Sequence, residues 1–486
     1  MRRPRLETLL VLALMAFAAG RIFVFCAAFP YFNNMDEVGH FDVVISYSRG
    51  VVPRALEPHT PQLRRWIRNW SPEFLSTPDV YLQPQKIVRK SVPEAVKSYA
   101  KQMRVERNHE LLEPPLYYGV AAVWLSVGEL LRVSDDHMFY WVRFLNVLLG
   151  AATVWLAYVV ARNLFPDRPF LKIAPPALLA FIPQDVLYGV NSDVLSPLSC
   201  GVICLGLVHW LNAERNVLGA AALTGAGVAV AGLTKLANVP LIAVTLLTVA
   251  YLVLWSEGRG RRPLATTLIF ATCASPLAAW LIWNKLTLGN FTGSAAKLEY
   301  LGFKTKPLAD WFHHPLYGPT GIKDFWFELI ASYWRGEITW HRKPIANYWV
   351  DCVYAWSTLV AIVAATVGLA RKLEDRQRVF LVFGLASFWA SVAFLATASV
   401  ALDYGQMGSP SPLFAFPGFV SGRLMCGTLI PFAIVFAYGI DTLCPRRHAN
   451  ACSFIILAAL CTMITASEIW LHTLVFQSSW NLFHNW

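Results

Sequence analysis

An all-α, polytopic membrane fold is what this sequence predicts, on three observations. The 486 residues are 56% hydrophobic and only 15% charged, with a mean hydropathy of +0.46, more apolar sequence than one soluble core can bury. The apolar residues are gathered in runs of about 20, the length that crosses a hydrocarbon layer as a helix. Several short connections between runs are basic, as cytoplasmic loops are. Lipid gives the backbone no hydrogen-bond partners, so every crossing run is expected to be helical.

The runs fall near 9–29, 114–131, 144–164, 172–190, 194–211, 217–234, 239–255, 264–284, 352–370, 378–400, 424–440 and 451–475. The first is flanked by Arg2, Arg3 and Arg5, which places the N-terminus in the cytoplasm and the next segment outside. Its length and the lack of a small-x-small cleavage site favour a retained anchor over a cleaved signal. The basic connections Arg259 to Arg262, Arg371 to Arg378 and Arg446-Arg447 should also be cytoplasmic. Crossing at every run puts all three outside. Removing one crossing between Asp36 and Arg259 corrects all three, and 114–131, which opens with Glu113-Pro114-Pro115 and carries Glu129, is the run that lies along the membrane instead. About 11 crossings remain, divided into a module over 1–284 with an outer loop at 30–113, an outer aromatic-rich loop at 285–351, and C-terminal helices over 352–486.

This arrangement places Asp36, Glu37, His40, the stretch 31–143, Asn191, Asp193, Lys235, the loop 285–351 and Arg423 on one outer face. The first outer loop has more basic than acidic residues, among them Arg64, Arg65, Arg68, Lys97 and Lys101, interleaved with Trp66, Trp70, Tyr81 and Tyr99. That pattern predicts segments lying at headgroup level, as interfacial helices do. The aromatic residues of 285–351 are expected to anchor at the interface, cover a lipid tail or stack on a sugar.

Asp36 and Glu37 stand just beyond the first span, where unpaired acids are expensive to hold and point to chemistry. Asp36 and His40 share a helical face if that stretch is helical, and together with other carboxylates they suit a divalent cation; an ordinary interfacial histidine is the alternative. Lys235 ends one span and precedes another, as a phosphate contact or a snorkelling lysine. Arg423 opens a late span, where a planar guanidinium holds two phosphate oxygens or anchors at the interface. Asn191 and Asp193 suit helix capping, with Asp193 also placed to bring a second carboxylate to Asp36. Glu113 and Tyr117 are one helical turn apart, while Pro114 and Pro115 equally suit the start of a helix. The nine cysteines show neither zinc spacing nor a disulfide framework, and Cys200 and Cys204 read as small residues on a packing face. No Walker loop or dinucleotide fingerprint is present, no nucleic-acid partner is expected, and no internal repeat supports a classical inverted-repeat transporter.

The acidic pair after the first span, Glu113-Pro114-Pro115-Leu116-Tyr117-Tyr118, Arg143, Asn191-Ser192-Asp193 and Gly422-Arg423 together resemble the C-type integral-membrane glycosyltransferases, which include protein O-mannosyltransferases and lipid A aminoarabinose transferases. The resemblance covers roughly 30–240 in ordered motifs and the remainder by span pattern; it departs from the family in having no large soluble domain after the last span. It implies an enzyme of a bacterial plasma membrane that transfers sugar from a polyprenyl-phosphate donor to a glycan, lipid or protein acceptor at the outer face. Asp36 and Glu37 are then the catalytic candidates, with Asp36 the base. His40, Glu113, Tyr117, Arg143, Asn191, Asp193, Lys235 and Arg423 are the donor- and substrate-binding candidates, and Asp36 and His40 the possible ligands of a divalent metal. The competing expectation is a flippase or transporter of lipid-linked sugars, which has the same spans and basic rim but places its charges nearer mid-membrane.

Overall fold

The computed structural model describes residues 3–33, 36–69, 94–212, 216–254, 263–340, 343–403, 419–445, 449–478 and 481–484. The basic connections Arg259 to Arg262 and Arg446-Arg447, and Trp70 and Tyr81, lie outside these residues. The protein is an all-α, multi-pass membrane protein. In chain order the helices are α1 (Arg3–Ala28), α2 (Glu37–Ser48), α3 (Pro61–Asn69), α4 (Glu94–Gln102), α5 (Leu116–Leu130), α6 (Asp135–Arg143), α7 (Leu145–Leu164), α8 (Pro169–Phe181), α9 (Ser196–Asn212), α10 (Val217–Thr234), α11 (Val239–Leu254), α12 (Pro263–Leu288), α13 (Ser294–Tyr300), α14 (Leu308–Trp311), α15 (Gly321–Arg335), α16 (Tyr348–Gly368), α17 (Asp375–Ala401), α18 (Leu429–Leu443), α19 (Ala449–Leu471) and α20 (Thr473–Phe476). Among the described residues two two-stranded ladders accompany them, each strand two residues long.

Among the described residues, ten helical segments are long and apolar enough to cross a membrane. The 13-residue α8 makes a further connection between the same two ends of the bundle. At one end Lys172 pairs with Glu7 at 2.7 Å, Arg168 with Asp441 at 2.6 Å, and Arg376 donates to Asn212. At the other, Arg423 meets Asp36 and Arg143 meets Glu37. Helix α8 starts beside Glu7, and the chain just past its end reaches Arg21, whose Nη2 donates to the Ile182 carbonyl at 2.6 Å. The expected span 172–190 therefore ends early, because Pro183 biases Ile182 to extended backbone (ψ 124) and has no N–H to extend the helix. Residues 182–191 continue as short 3-10 turns that enter the Asp36 end of the molecule.

The run 114–131 does not cross. It forms α5, which starts at the Asp36 end and folds back along α6, which returns to that end at Arg143. Trp124 and Trp141 stack with centroids 4.4 Å apart, and each indole N–H donates to the other's carbonyl at 2.7 and 2.8 Å.

Small residues let the crossing helices approach closely. Gly227 of α10 lies against Ile203 of α9, where a Cβ would come within 2.8 Å of the Ile203 nitrogen. Cys200 and Cys204 are fully buried on α9, and all nine cysteines are free. The most hydropathic stretch of the segment Gly422–Leu443, which ends in α18, is 94% buried and central, whereas that of α12 is only 11% buried and faces outward. Outside the bundle, α3 buries Leu63, Trp66 and Ile67 and turns Arg65 and Arg68 outward; it packs on α4. This is the amphipathic pair expected of the first outer loop.

The bundle makes a directional prediction. In intact cells carrying a variant with its native cysteines replaced, a cysteine at Gly289 is expected to react with an impermeant maleimide, and one at Lys372 only after permeabilisation. Labelling of the Lys372 position from outside would reverse the orientation.

Candidate functional site

The site begins where α1 ends. Asp36 caps α2 with φ 56 and ψ 8, a left-handed conformation that Asp tolerates better than most side chains, and its carbonyl accepts the His40 N–H at 3.1 Å. This turn sends two adjacent acids in opposite directions. Glu37 points into the protein and is wholly buried. It accepts from Arg143 Nε at 2.7 Å and Nη2 at 2.6 Å, and from the Val190 N–H at 2.7 Å. Arg143 uses its remaining N–H groups on the carbonyls of Cys26, Phe29 and Pro30. Glu37 was expected beside Asp36 in the chemistry and Arg143 against a donor; every N–H of the guanidinium is engaged within the protein and both side chains are buried, so the pair ties the turn together.

Asp36 points the other way and is 28% exposed. Arg423 Nη2 donates to its Oδ2 at 2.6 Å, closing a contact 387 residues apart in sequence. Burial works against the Asp36 carboxylate, but Arg423 and His109 hold its pKa down at about 2. The same guanidinium lies 3.7 Å from Glu337 Oε2 through Nε, and its buried Nη1 has no hydrogen-bond partner among the described residues. Glu337 follows Gly336, whose φ is +81 and where a Cβ would overlap the Asp185 carboxyl; only glycine fits both the conformation and the space. The Glu337 N–H then donates to Asp185 Oδ2 at 2.5 Å. Burial, then the charge of Glu337, raises the Asp185 carboxyl to about 7, and burial also raises Glu337.

A second arm carries the lysines. Lys235 Nζ donates to Ser192 Oγ at 3.1 Å and lies 3.6 Å from Glu113 and 3.7 Å from Asp193. Lys297, on α13, bridges Glu113 at 2.6 Å and Glu110 at 3.0 Å. Burial opposes the charge on both lysines, yet the surrounding carboxylates raise their pKa values, and both stay protonated. Asn191 caps the turn before α9 by accepting the Asp193 N–H at 2.8 Å. Asp193 faces Lys235 through Oδ1, and its Oδ2 is buried and unpaired among the described residues.

His40 is buried, its Nδ1 2.8 Å from the Tyr118 hydroxyl and 3.8 Å from Glu110. Burial, then the positive charges of Lys235 and Arg423, lower it to about 4 against the pull of Glu110, so the ring is neutral. Asp36 and His40 are thus engaged with different partners, and no group of three or more His, Cys, Asp or Glu among the described residues is arranged to hold a metal ion. Tyr117 is fully buried, beside Asn191 and Glu37.

Sequence reasoning missed Glu110, Lys297, Glu337 and Asp185. Glu110 stands three residues before Glu113 in the same motif, so helix-like spacing could have found it. Lys297 and Glu337 had no signal beyond lying in the long aromatic-rich loop 285–351. Within the spans, Arg21 and Glu468 also pair at 2.9 Å, and Tyr188 bonds to both.

No family model matches the sequence, and no curated protein matches it. Among solved structures the chain is similar to the crystal structure of ArnT from Cupriavidus metallidurans bound to undecaprenyl phosphate, with 13% sequence identity and a TM-score of 0.36, over 89% of this chain and 77% of that one.

Two measurements test the geometry. Arg143→Ala leaves Glu37 buried without its cation, a change that typically costs about 3–5 kcal/mol; a large fall in the thermal midpoint of the purified protein is expected, and an unchanged midpoint would show that the pair does not hold the turn. Asp185 titrates higher in the folded chain than its ordinary value of 3.8, so its proton favours the folded state. Its stabilising contribution is full below that value and is lost as pH rises through about 7. Asp185→Asn keeps an acceptor oxygen, and its midpoint should gain on the wild type as pH is raised across this window. A pH-independent difference would remove Asp185 as the titrating group.

Proposed function

We propose that this protein is a membrane glycosyltransferase that moves a sugar from a polyprenyl-phosphate carrier to an acceptor at the Asp36 end of the bundle, with Asp36 as general base. The observation that carries this reading is the Asp36–Arg423 pair. It joins a partly exposed, ionised carboxylate to a guanidinium that still has a buried N–H group to give, at the mouth of a membrane bundle. The carrier is what the motif resemblance implies, and an amphipathic phosphate suits a site at this position.

The reaction needs a proton acceptor on one side of the anomeric carbon and positive charge on the other. Asp36 takes the proton as the acceptor O–H bond breaks and the new oxygen–carbon bond forms. The bond from the anomeric carbon to the carrier phosphate breaks with its electron pair leaving on phosphate oxygen, and Arg423, Lys235 and Lys297 stabilise that charge. Direct displacement of this kind inverts the anomeric centre. A carboxylate titrating near 2 is a weak base while Arg423 is bonded to it. A donor phosphate that draws the guanidinium away removes the group that depresses Asp36 and makes it more basic when the substrate is present. Glu37, Arg143, Tyr117 and Asn191 act as positioning residues in this scheme.

The test is transfer by the purified, liposome-reconstituted protein supplied with a panel of polyprenyl-phosphate sugars. Asp36→Asn should lower turnover by about 10²- to 10⁴-fold while donor binding persists. Lys235→Ala and Arg423→Ala should weaken donor use, since each charged hydrogen bond is worth about 1.5–3 kcal/mol. Near-normal turnover in Asp36→Asn would place the base elsewhere. Translocation of lipid-linked sugar without transfer by the wild type would establish a transporter instead.

A further inference from the structure

A separate cationic cleft of about 400 Å³ lies in the second outer loop, lined by Lys304, Thr305, Lys306, Asp310, His313 and His314 with two prolines. That volume is within the usual range for ligand sites. Two lysines face one carboxylate among the lining side chains, with two imidazoles beside them, so the lining carries net positive charge and suits an anion. Its walls are held by backbone: Lys304 and Thr305 pair with Asp403 and Leu402 in a short ladder, the Lys306 N–H donates to the Ala401 carbonyl at 2.8 Å, and Trp311 Nε1 donates to the Lys306 carbonyl at 3.2 Å.

The histidines are oriented too. The Leu316 N–H donates to His314 Nδ1 at 3.1 Å, which places the neutral ring's proton on Nε2 as a donor. Burial, then Lys306, lowers His314, which keeps it in that neutral, donating form. His313 Nδ1 bonds the Ala309 carbonyl at 3.1 Å and therefore carries a hydrogen, leaving Nε2 uncommitted by that bond.

The surroundings say what kind of anion this is. Leu308 and Phe312 are 69% and 80% exposed and four residues apart, hence on one face of the turn. Leu308 opens α14 and Phe312 follows its last residue; α14 packs on α17, and the Lys306 N–H bonds the last residue of that membrane-spanning helix. Exposed large apolar side chains at the end of a span, with cations beside them, match the boundary between acyl chains and headgroups. A soluble phosphate would be recognised by the cations alone and gives no reason for the apolar pair.

We propose that the cleft formed by Lys304, Lys306, His313 and His314 binds the phosphate of an anionic membrane-lipid headgroup, with Leu308 and Phe312 seated among that lipid's chains. The site is distinct from the Asp36 cluster and stands whether or not the protein transfers sugar.

Native mass spectrometry of the full-length protein in neutral detergent tests this with three probes: phosphatidylglycerol, phosphatidylcholine and inorganic phosphate. The wild type should retain phosphatidylglycerol over phosphatidylcholine. The double variant Lys304→Glu/Lys306→Glu should lose about tenfold or more of that affinity, as expected for removal of charged hydrogen bonds, and Leu308→Ser/Phe312→Ser should weaken lipid retention while leaving inorganic phosphate unaffected. Lys304→Ala/Lys306→Ala supplies the same comparison if charge reversal does not give folded protein. Equal retention of the two lipids by the wild type, or unchanged phosphatidylglycerol retention in the lysine variants, overturns the proposal. Binding of inorganic phosphate, with no effect of the apolar substitutions on phosphatidylglycerol, would make the cleft a soluble-phosphate site and overturn it equally.

Discussion

The buried Glu37–Arg143 pair is the constraint on which the rest of the site depends. One guanidinium satisfies three carbonyls at the end of α1, and one carboxylate ties the start of α2 to Arg143 and to the Val190 N–H ahead of α9. A buried ion pair is not in itself a strong source of stability, since both groups must be stripped of water. Here every N–H of the arginine is used and the geometry is bidentate, the condition under which desolvation is best repaid. What it secures is direction: with Glu37 locked inward, the left-handed residue before it presents its carboxylate outward to Arg423.

Beyond that clamp the charges alternate. Glu110, Lys297, Glu113, Lys235 and Asp193 follow one another along one arm, and Asp36, Arg423 and Glu337 form the other. Each ion is held by its opposite neighbours, so removing any one leaves charge uncompensated in a poorly solvated place. Lys297 also joins the two long loops at the Asp36 end of the bundle, because α13 follows α12 while Glu110 and Glu113 precede α5. The bundle is therefore closed over the site by ion pairs between segments that share no helix.

The fold was legible because lipid imposes it: run length, the helix requirement and loop charge follow from solvent alone, and sidedness alone grouped Asp36, Glu113, Asp193, Lys235 and Arg423 on one face. What could not be read was which way each side chain points. Asp36 and Glu37 are neighbours with the same charge and similar chemistry, and only the φ of 56 at Asp36 separates an exposed carboxylate from a buried one. Asp185 was hidden inside an apparently continuous apolar run, 172–190, that Pro183 in fact terminates. Lys297 and Glu337 sit in a long loop whose aromatic content drew attention to the interface, and their positions depend on helix packing that no local spacing encodes.

Arg423 gives the site its asymmetry. It stands between a carboxylate held near pKa 2 and another, Glu337, raised by burial beside the high-titrating Asp185. The carboxyl bonded at 2.6 Å has its pKa held down by the guanidinium, and the one at 3.7 Å has its pKa pushed up by burial. Environments that push neighbouring acids apart in this way separate the roles of otherwise equivalent groups. An anion competing for the guanidinium acts first on the Asp36 bond, the more exposed of the two contacts, whereas Glu337 remains anchored through its own backbone to Asp185. The arginine thus stands between one carboxylate at the surface and another fixed by its own backbone, an arrangement set by Gly336 and the Glu37 turn.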